Sequence, residues 1–231
     1  MRYQIISFDL DGTLVDTAPS IAKAANLALG EHGVGERPLA EVTDLIGAGT
    51  RELMLRLLAR CLLDAPKLAD RVRPDAVLQS FDRHYALVAQ GGAPLYAGCI
   101  EALTALKQAG LQLACVTNKD LRLARLVLQA ARIDGYFDLL VGGDSLPEKK
   151  PHRSVLMHVM RELQSAAHCT AHVGDSQIDV DCARNAGVQA WAVPYGYNGG
   201  KPIAQARPDR LFESLPALSR HVLACQQAAL A

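Results

Sequence analysis

Residues 8–16 read Phe8-Asp9-Leu10-Asp11-Gly12-Thr13-Leu14-Val15-Asp16 and follow directly on the apolar run Tyr3 to Phe8. That run is rich in branched and aromatic residues and predicts a strand. Two carboxylates two residues apart at its end point the same way while strand geometry persists, and Gly12 permits a sharp turn after them. Asp9 and Asp11 are therefore expected to share one site. Their charges repel at close range, so a cation is the natural partner, and hard oxygen ligands of this kind suit Mg²⁺. An Asp-Gly pair also marks a plain turn, so the rest of the chain has to decide between the two readings.

Four further runs read as strands: Leu111 to Val116, Phe137 to Val141, Thr170 to Val173 and Ala190 to Val193. Between them Leu121 to Ala131, Ser154 to Leu163 and Ile178 to Ala186 carry apolar residues at helical spacing. Strands alternating with helices predict βαβ units and a parallel sheet, whose ligand sites lie at the carboxyl ends of the strands. The interval before the second strand differs. Thr17 reads as an N-cap with Pro19 just inside a helix whose stripe is Ile21, Ala24, Ala25, Leu27 and Ala28. A second helix from Thr50 carries Leu53, Met54, Leu57 and Leu58, and a third from about Ala76 carries Val77, Phe81, Tyr85 and Val88. Gly91, Gly92 and Pro94 then return the chain to the core. The expected fold is α/β, a Rossmann-like parallel-sheet core of residues 1–15 and 96–231 with an inserted α-helical cap of residues 16–95, hinged near Val15 to Pro19 and Gly91 to Pro94.

The other strand ends carry polar groups as well. Val116-Thr117-Asn118-Lys119 offers a hydroxyl and an amide suited to anionic oxygens, although such residues also cap helices. In Lys149-Lys150-Pro151-His152, Pro151 reads as a first-turn residue that places Lys150 at a helix start, where an ammonium and free N–H groups together bind phosphate. In Gly174-Asp175-Ser176-Gln177-Ile178-Asp179, a helix from Ser176 returns Asp179 to the side of Asp175. An N-cap with a first-turn acid would give the same letters. Complementary groups at four strand ends favour a shared site.

The chain of 231 residues is half hydrophobic, 21% charged, and balanced at 24 basic against 24 acidic residues. It has ample material for a core and no single-sign field for nucleic acid or anionic lipid, so an anionic partner is expected to be small and locally met. The start lacks the charged and apolar regions of a signal peptide, and no apolar run approaches membrane-spanning length, which predicts a cytoplasmic protein. Cys61, Cys99, Cys115, Cys169, Cys182 and Cys225 show no paired short spacing and read as reduced. His168, Cys169 and His172, with Cys182, form a possible metal cluster. Cys169 to Val173 reads better as a strand, whose alternate residues face opposite sides.

The stretches FDLDGTLVDT, VTN, KKP and GDSQIDV, in this order, resemble the four signatures of the haloacid dehalogenase superfamily, in its branch of Mg²⁺-dependent phosphatases with a helical cap after the first strand. PYGYNGG with the following ARPD, and IGAGTRELM in the insert, are similar to the bacterial phosphoglycolate phosphatases within that family. The resemblance implies that Asp9 attacks phosphorus to form an aspartyl phosphate and that Asp11 protonates the leaving alkoxide and later activates water. It implies Mg²⁺ held by the Asp9 carboxylate, the Asp11 main-chain carbonyl and Asp175, with Asp179 bound directly or through water. Thr117, Asn118 and Lys150 would hold the phosphoryl oxygens, and Thr13 would orient or turn. The implied partner is a small phosphorylated metabolite such as 2-phosphoglycolate. An amino-sugar phosphate, a nucleotide, pyrophosphate or a phosphosugar-mutase substrate would use the same framework, and a phosphate-binding regulatory protein is the non-enzymatic alternative. Gly47 and Gly49 precede the helix start at Thr50, whose N–H groups suit a small carboxylate. Arg51 is the alternative anion partner. Asp16, Asp120, Asp144 and Asp181 have capping or surface explanations. KKPHRSVL carries Arg153 and Val155 where prolines are common in the family, a change in loop stiffness.

Overall fold

The computed structural model describes residues 2–228. Its strands, in chain order, are β1 (Ile5–Phe8), β2 (Gln112–Val116), β3 (Leu139–Val141), β4 (Thr170–Gly174), β5 (Gln189–Ala192) and β6 (Arg210–Leu211). They form one sheet of order β3-β2-β1-β4-β5-β6, parallel at every pairing. This is the doubly wound order, in which strand succession reverses beside the central strand and leaves a crevice above the strand ends.

The helices are α1 (Ala18–Glu31), α2 (Leu39–Thr43), α3 (Thr50–Asp64), α4 (Pro74–Gln90), α5 (Cys99–Gln108), α6 (Leu121–Ala130), α7 (Ser154–Glu162), α8 (Gln177–Ala186) and α9 (Leu215–Ala228). Strand alternation divides the core between the two faces of the sheet. Ile5, Ala114, Val116, Ala190 and Ala192 face one side, with Val155, Leu156 and Val159 of α7 and Val180 and Ala183 of α8. Ile6, Phe8, Leu113, Cys115, Val173 and Trp191 face the other, in a cluster that continues into α1, α3 and α4. All five expected strands and the expected helices form, with ends displaced by a few residues. β6, a pair of exposed residues, and the short α2 carry too little pattern to read.

Helices α1 to α4 lie between β1 and α5, and the two chain crossings to them run side by side. Val15 bridges to Leu95, Asp16 N donates to Pro94 O at 2.8 Å, and Tyr96 N donates to Leu14 O at 3.0 Å. Both expected hinge segments thus meet in one short paired ribbon. Thr17 occupies the N-cap position of α1, but its side chain makes no capping bond. Its hydroxyl donates to Asp11 Oδ1 at 2.6 Å, a charge-assisted bond. All six cysteines are free. No helix among the described residues is long and apolar enough to cross a membrane.

Candidate active site

The carboxyl ends of β1, β2 and β4 bring the expected residues together. Asp9 leaves β1 with its N–H on Val173 O at 2.8 Å, and Leu10 O then accepts the N–H groups of Thr13, Leu14 and Val15. That turn faces the main-chain N–H groups of Leu10 and Asp11 away from the ladder, and among the described residues neither has an acceptor. Thr13 Oγ1 donates to Asp175 Oδ1 at 2.7 Å, the orienting role expected of it.

At the end of β2, Thr117 Oγ1 accepts from Lys119 N at 3.2 Å and keeps its own proton for another acceptor. The Asn118 side chain is spent on the fold. Its Nδ2 donates to Gly47 O and Lys150 O, both at 3.0 Å, and its Oδ1 accepts from Lys150 N at 2.9 Å. What Asn118 leaves free is its main-chain N–H, which has no acceptor among the described residues.

Lys150 is in the site, but not at a helix start. α7 begins at Ser154, because the lysine's main chain is held by Asn118 and its side chain runs down beneath the strand ends. Its buried Nζ lies 2.7 Å from Val116 O, 2.7 Å from Asp179 Oδ1 and 2.8 Å from Asp9 Oδ1. Burial works against the ammonium, yet Asp179 and Asp9 outweigh it and hold its proton above the usual lysine range. Asp9 Oδ1 has this charge beside it but receives no directed hydrogen bond.

At the end of β4, Ser176 and Asp179 form a capping box on α8. Asp179 Oδ2 accepts from Ser176 N and Oγ at 3.1 and 2.5 Å, and Oδ1 also faces His172 Nε2 at 3.3 Å. The other ring nitrogen, Nδ1, lies 2.9 Å from Ser7 Oγ. His172 is therefore engaged beneath the site rather than clustered with cysteines. Asp175 accepts from Thr13 and from Tyr197 N.

Asp9, Asp175 and Asp179 each offer a carboxylate oxygen within 4.8 Å of the others, and all three are buried. Burial first, then the like charges of Asp179 and Asp9, push the Asp175 carboxyl well above its usual range. Asp9 is likewise raised, to about 6, by burial against the pull of Lys150. Asp179 is also buried, but Lys150 and His172 hold it below the usual range. A buried, all-oxygen cluster of three carboxylates fits a hard divalent cation. The Asp11 carboxylate lies outside this cluster: Lys119 Nζ contacts its two oxygens at 2.5 and 2.7 Å.

A narrow cavity of about 20 Å³ lies above these groups, lined by Asp9, Asp11, Thr117, Asn118 and Lys119 below and by Ile21, Ile46, Gly47, Gly49, Thr50 and Leu53 above. Gly49, at φ 95°, comes so close that a Cβ there would stand 2.8 Å from Asn118 O. Arg51 lines the neighbouring cleft with Asp75, Asp82 and Asp120, not this cavity. Of the acids set aside, Asp144 caps Leu121 N at 2.7 Å and Asp181 holds Gln177 Nε2 at 2.7 Å. Sequence reasoning missed Lys119, Thr17, Tyr85 and Tyr197 as parts of the site. The signals were Lys119 adjoining the Thr117-Asn118 pair at a strand end, Thr17 closing FDLDGTLVDT and Tyr197 within PYGYNGG.

The sequence matches the haloacid dehalogenase-like hydrolase family over residues 6–193. It is 40% identical to the phosphoglycolate phosphatase of Nitrosospira multiformis over 91% of each chain. It is also 40% identical to the phosphoglycolate phosphatase of Vibrio vulnificus strain YJ016, over 95% of this chain and 96% of that one. Among solved structures, a predicted phosphoglycolate phosphatase from Haemophilus somnus 129PT superposes with a TM-score of 0.85 at 33% identity, over 95% of this chain and 98% of that one. With the strand order and the buried acids at the strand ends, these matches show that the chain belongs to the haloacid dehalogenase-like hydrolases.

Proposed function

We propose that the protein is a Mg²⁺-dependent phosphomonoester hydrolase that works through an aspartyl phosphate on Asp9, with 2-phosphoglycolate as substrate. The observation that carries the reading is Asp9 itself, a buried carboxylate at the cavity floor, clustered with Asp175 and Asp179 and 2.8 Å from the Lys150 ammonium. The names of relatives at 40% identity support the substrate.

Asp9 attacks phosphorus, the bond from phosphorus to the ester oxygen breaks, and Asp11 gives its proton to the departing alkoxide. A water then attacks the aspartyl phosphate and gives its proton to Asp11, and the bond between phosphorus and Asp9 breaks. The products are an alcohol and inorganic phosphate. Splitting hydrolysis into two displacements lets one carboxyl serve as acid and then as base. The phosphoryl oxygens are received by the Thr117 hydroxyl and the free N–H groups of Leu10, Asp11 and Asn118, with the Lys150 charge beside them. Asp9, Asp175 and the Asp11 main-chain carbonyl would hold Mg²⁺, with Asp179 directly or through water. When bound, the ion offsets repulsion between carboxylates and phosphate and steadies charge in the transition state.

The substrate's carboxylate meets the N-terminus of α3, where Thr50 is buried at 6% exposure and its hydroxyl makes no hydrogen bond among the described residues. Residues 16–95 act as a cap that opens at the paired ribbon to admit substrate and closes to exclude water. A hydrolysis screen over 2-phosphoglycolate, sugar phosphates, nucleotides and pyrophosphate tests this reading. Preferred Mg²⁺-dependent release of phosphate from 2-phosphoglycolate is expected. No release from any of them overturns it, and preference for another substrate overturns the specificity.

A further inference from the structure

Lys119 is a charged side chain with no exposure to solvent, and it stands between the core and the helical insert. Its Nζ contacts Asp11 Oδ1 at 2.5 Å, Asp11 Oδ2 at 2.7 Å and Tyr85 Oη at 2.8 Å. An ammonium has three protons, so these contacts use all of them and fix the direction in which the group points. Tyr85 is fully buried on α4, its ring stacked on Phe81 at 5.5 Å, and the Lys119 ammonium also lies 4.8 Å from the Tyr85 ring centre. The Asp11 carboxylate is gripped by Lys119 on one side and by Thr17, at the root of α1, on the other. It therefore has one available orientation while α1 and α4 are docked.

We infer that Tyr85 and Lys119 are positioning residues for Asp11, through which the docked insert sets the aim of the acid–base carboxylate. This deepens the proposed function and rests on its assignment of Asp11. The step most sensitive to aim is the second displacement, in which Asp11 takes a proton from the attacking water while the bond between phosphorus and Asp9 breaks. The ammonium on both carboxylate oxygens fixes how the Asp11 carboxylate is turned for this step. Loss of the Tyr85 hydroxyl leaves one ammonium proton without a partner in a buried place, and the ammonium turns to seek another. Misplacement of a catalytic group on this scale lowers rate rather than binding.

Tyr85→Phe keeps the ring and its stacking, and Lys119→Met keeps most of the side-chain volume. Both are to be compared with wild type and with Asp82→Asn, which breaks the exposed ion pair between Asp82 on α4 and Arg122 on α6 but leaves Lys119 alone. Steady-state kinetics on 2-phosphoglycolate and acid-quenched phosphoenzyme are read for each, with thermal melts to confirm folding. The expected result for Tyr85→Phe and Lys119→Met is a fall in kcat of about tenfold or more, little change in KM, and a larger phosphorylated fraction at steady state. Asp82→Asn is expected to match wild type. A folded Tyr85→Phe with wild-type kcat and phosphoenzyme level overturns the inference, as does an equal loss in Asp82→Asn, which would trace the effect to docking of α4 in general. Failure of the proposed function looks different: wild type itself then forms no phosphoenzyme.

Discussion

The Lys150 ammonium stands 2.8 Å from Asp9 Oδ1, with the lysine side chain 2% and the aspartate side chain 11% exposed. The lysine reaches this place from a loop, and Asp179 is its second anionic partner at 2.7 Å. Removing the lysine strands two carboxylates in a dry setting. Lys150→Met is therefore expected to lose about 3–5 kcal/mol of stability, the usual cost of breaking a buried pair from one side. Urea unfolding measures it. Asp9→Asn added to Lys150→Met should restore part of the loss, because it removes one of the unpaired charges, and strict additivity of the two changes would count against this pairing.

Mg²⁺ should stabilise the protein more at pH 8 than at pH 5. The Asp9 carboxyl is raised to about 6 in the fold and Asp175 is raised well above its usual range. A raised carboxyl favours folding while it is protonated. That contribution is complete below about pH 4, the unfolded value, and is lost as pH climbs through the folded value. The lowered Asp179 acts oppositely, stabilising above about pH 4 and losing its contribution on acidification. Metal needs the ionised form, so it relieves repulsion that exists only at the higher pH. Melting temperatures with chelator and with saturating Mg²⁺ at both pH values check this. An equal or larger shift at pH 5 contradicts it.

Gly196 packs against Asp175 so closely that a Cβ would lie 2.3 Å from Oδ2. The next residue, Tyr197, donates its N–H to the same oxygen. Gly196→Ala is expected to push Asp175 out of the cluster and raise the Mg²⁺ concentration for half-maximal activity about tenfold, as loss of ligand support commonly does. A metal titration of activity that coincides with wild type would remove Asp175 placement from the account.

Asp16 N on Pro94 O and the bridge from Val15 to Leu95 tie the two crossings into one ribbon. The proposed cap motion would turn on this ribbon. Limited proteolysis should cut both Val15 to Pro19 and Gly91 to Pro94 several-fold more slowly when Mg²⁺ and beryllofluoride are present. Unchanged cutting at both segments is the opposing outcome.

The site is legible in the sequence where its geometry is local. Asp9 and Asp11 share a strand end, and Asp175 and Asp179 lie one helical turn apart, so spacing alone brings each pair together. The sequence points to Lys150 but not to its route, since Pro151 resembles a helix start and only the tertiary clasp of Asn118 shows otherwise. Asn118 shows the same limit: an amide beside a hydroxyl at a strand end reads as a ligand, yet its side chain is committed to Gly47 and Lys150. Lys119 was invisible because its partners, Asp11 and Tyr85, are 108 and 34 residues away, and no periodicity encodes such a meeting. In the fold, strands buried on both faces gave clear apolar runs, whereas the two exposed residues of β6 did not.

The central claim is that Asp9 carries the phosphoryl group between two displacements. The direct measurement is acid-quenched mass spectrometry of protein turning over 2-phosphoglycolate with Mg²⁺, beside Asp9→Asn. The account predicts a phosphorylated peptide bearing the modification on Asp9, and an Asp9→Asn protein that is folded, unmodified and slower by on the order of 10³-fold or more. Turnover by Asp9→Asn at the wild-type rate, or phosphate found on another residue of the active wild type, would contradict it.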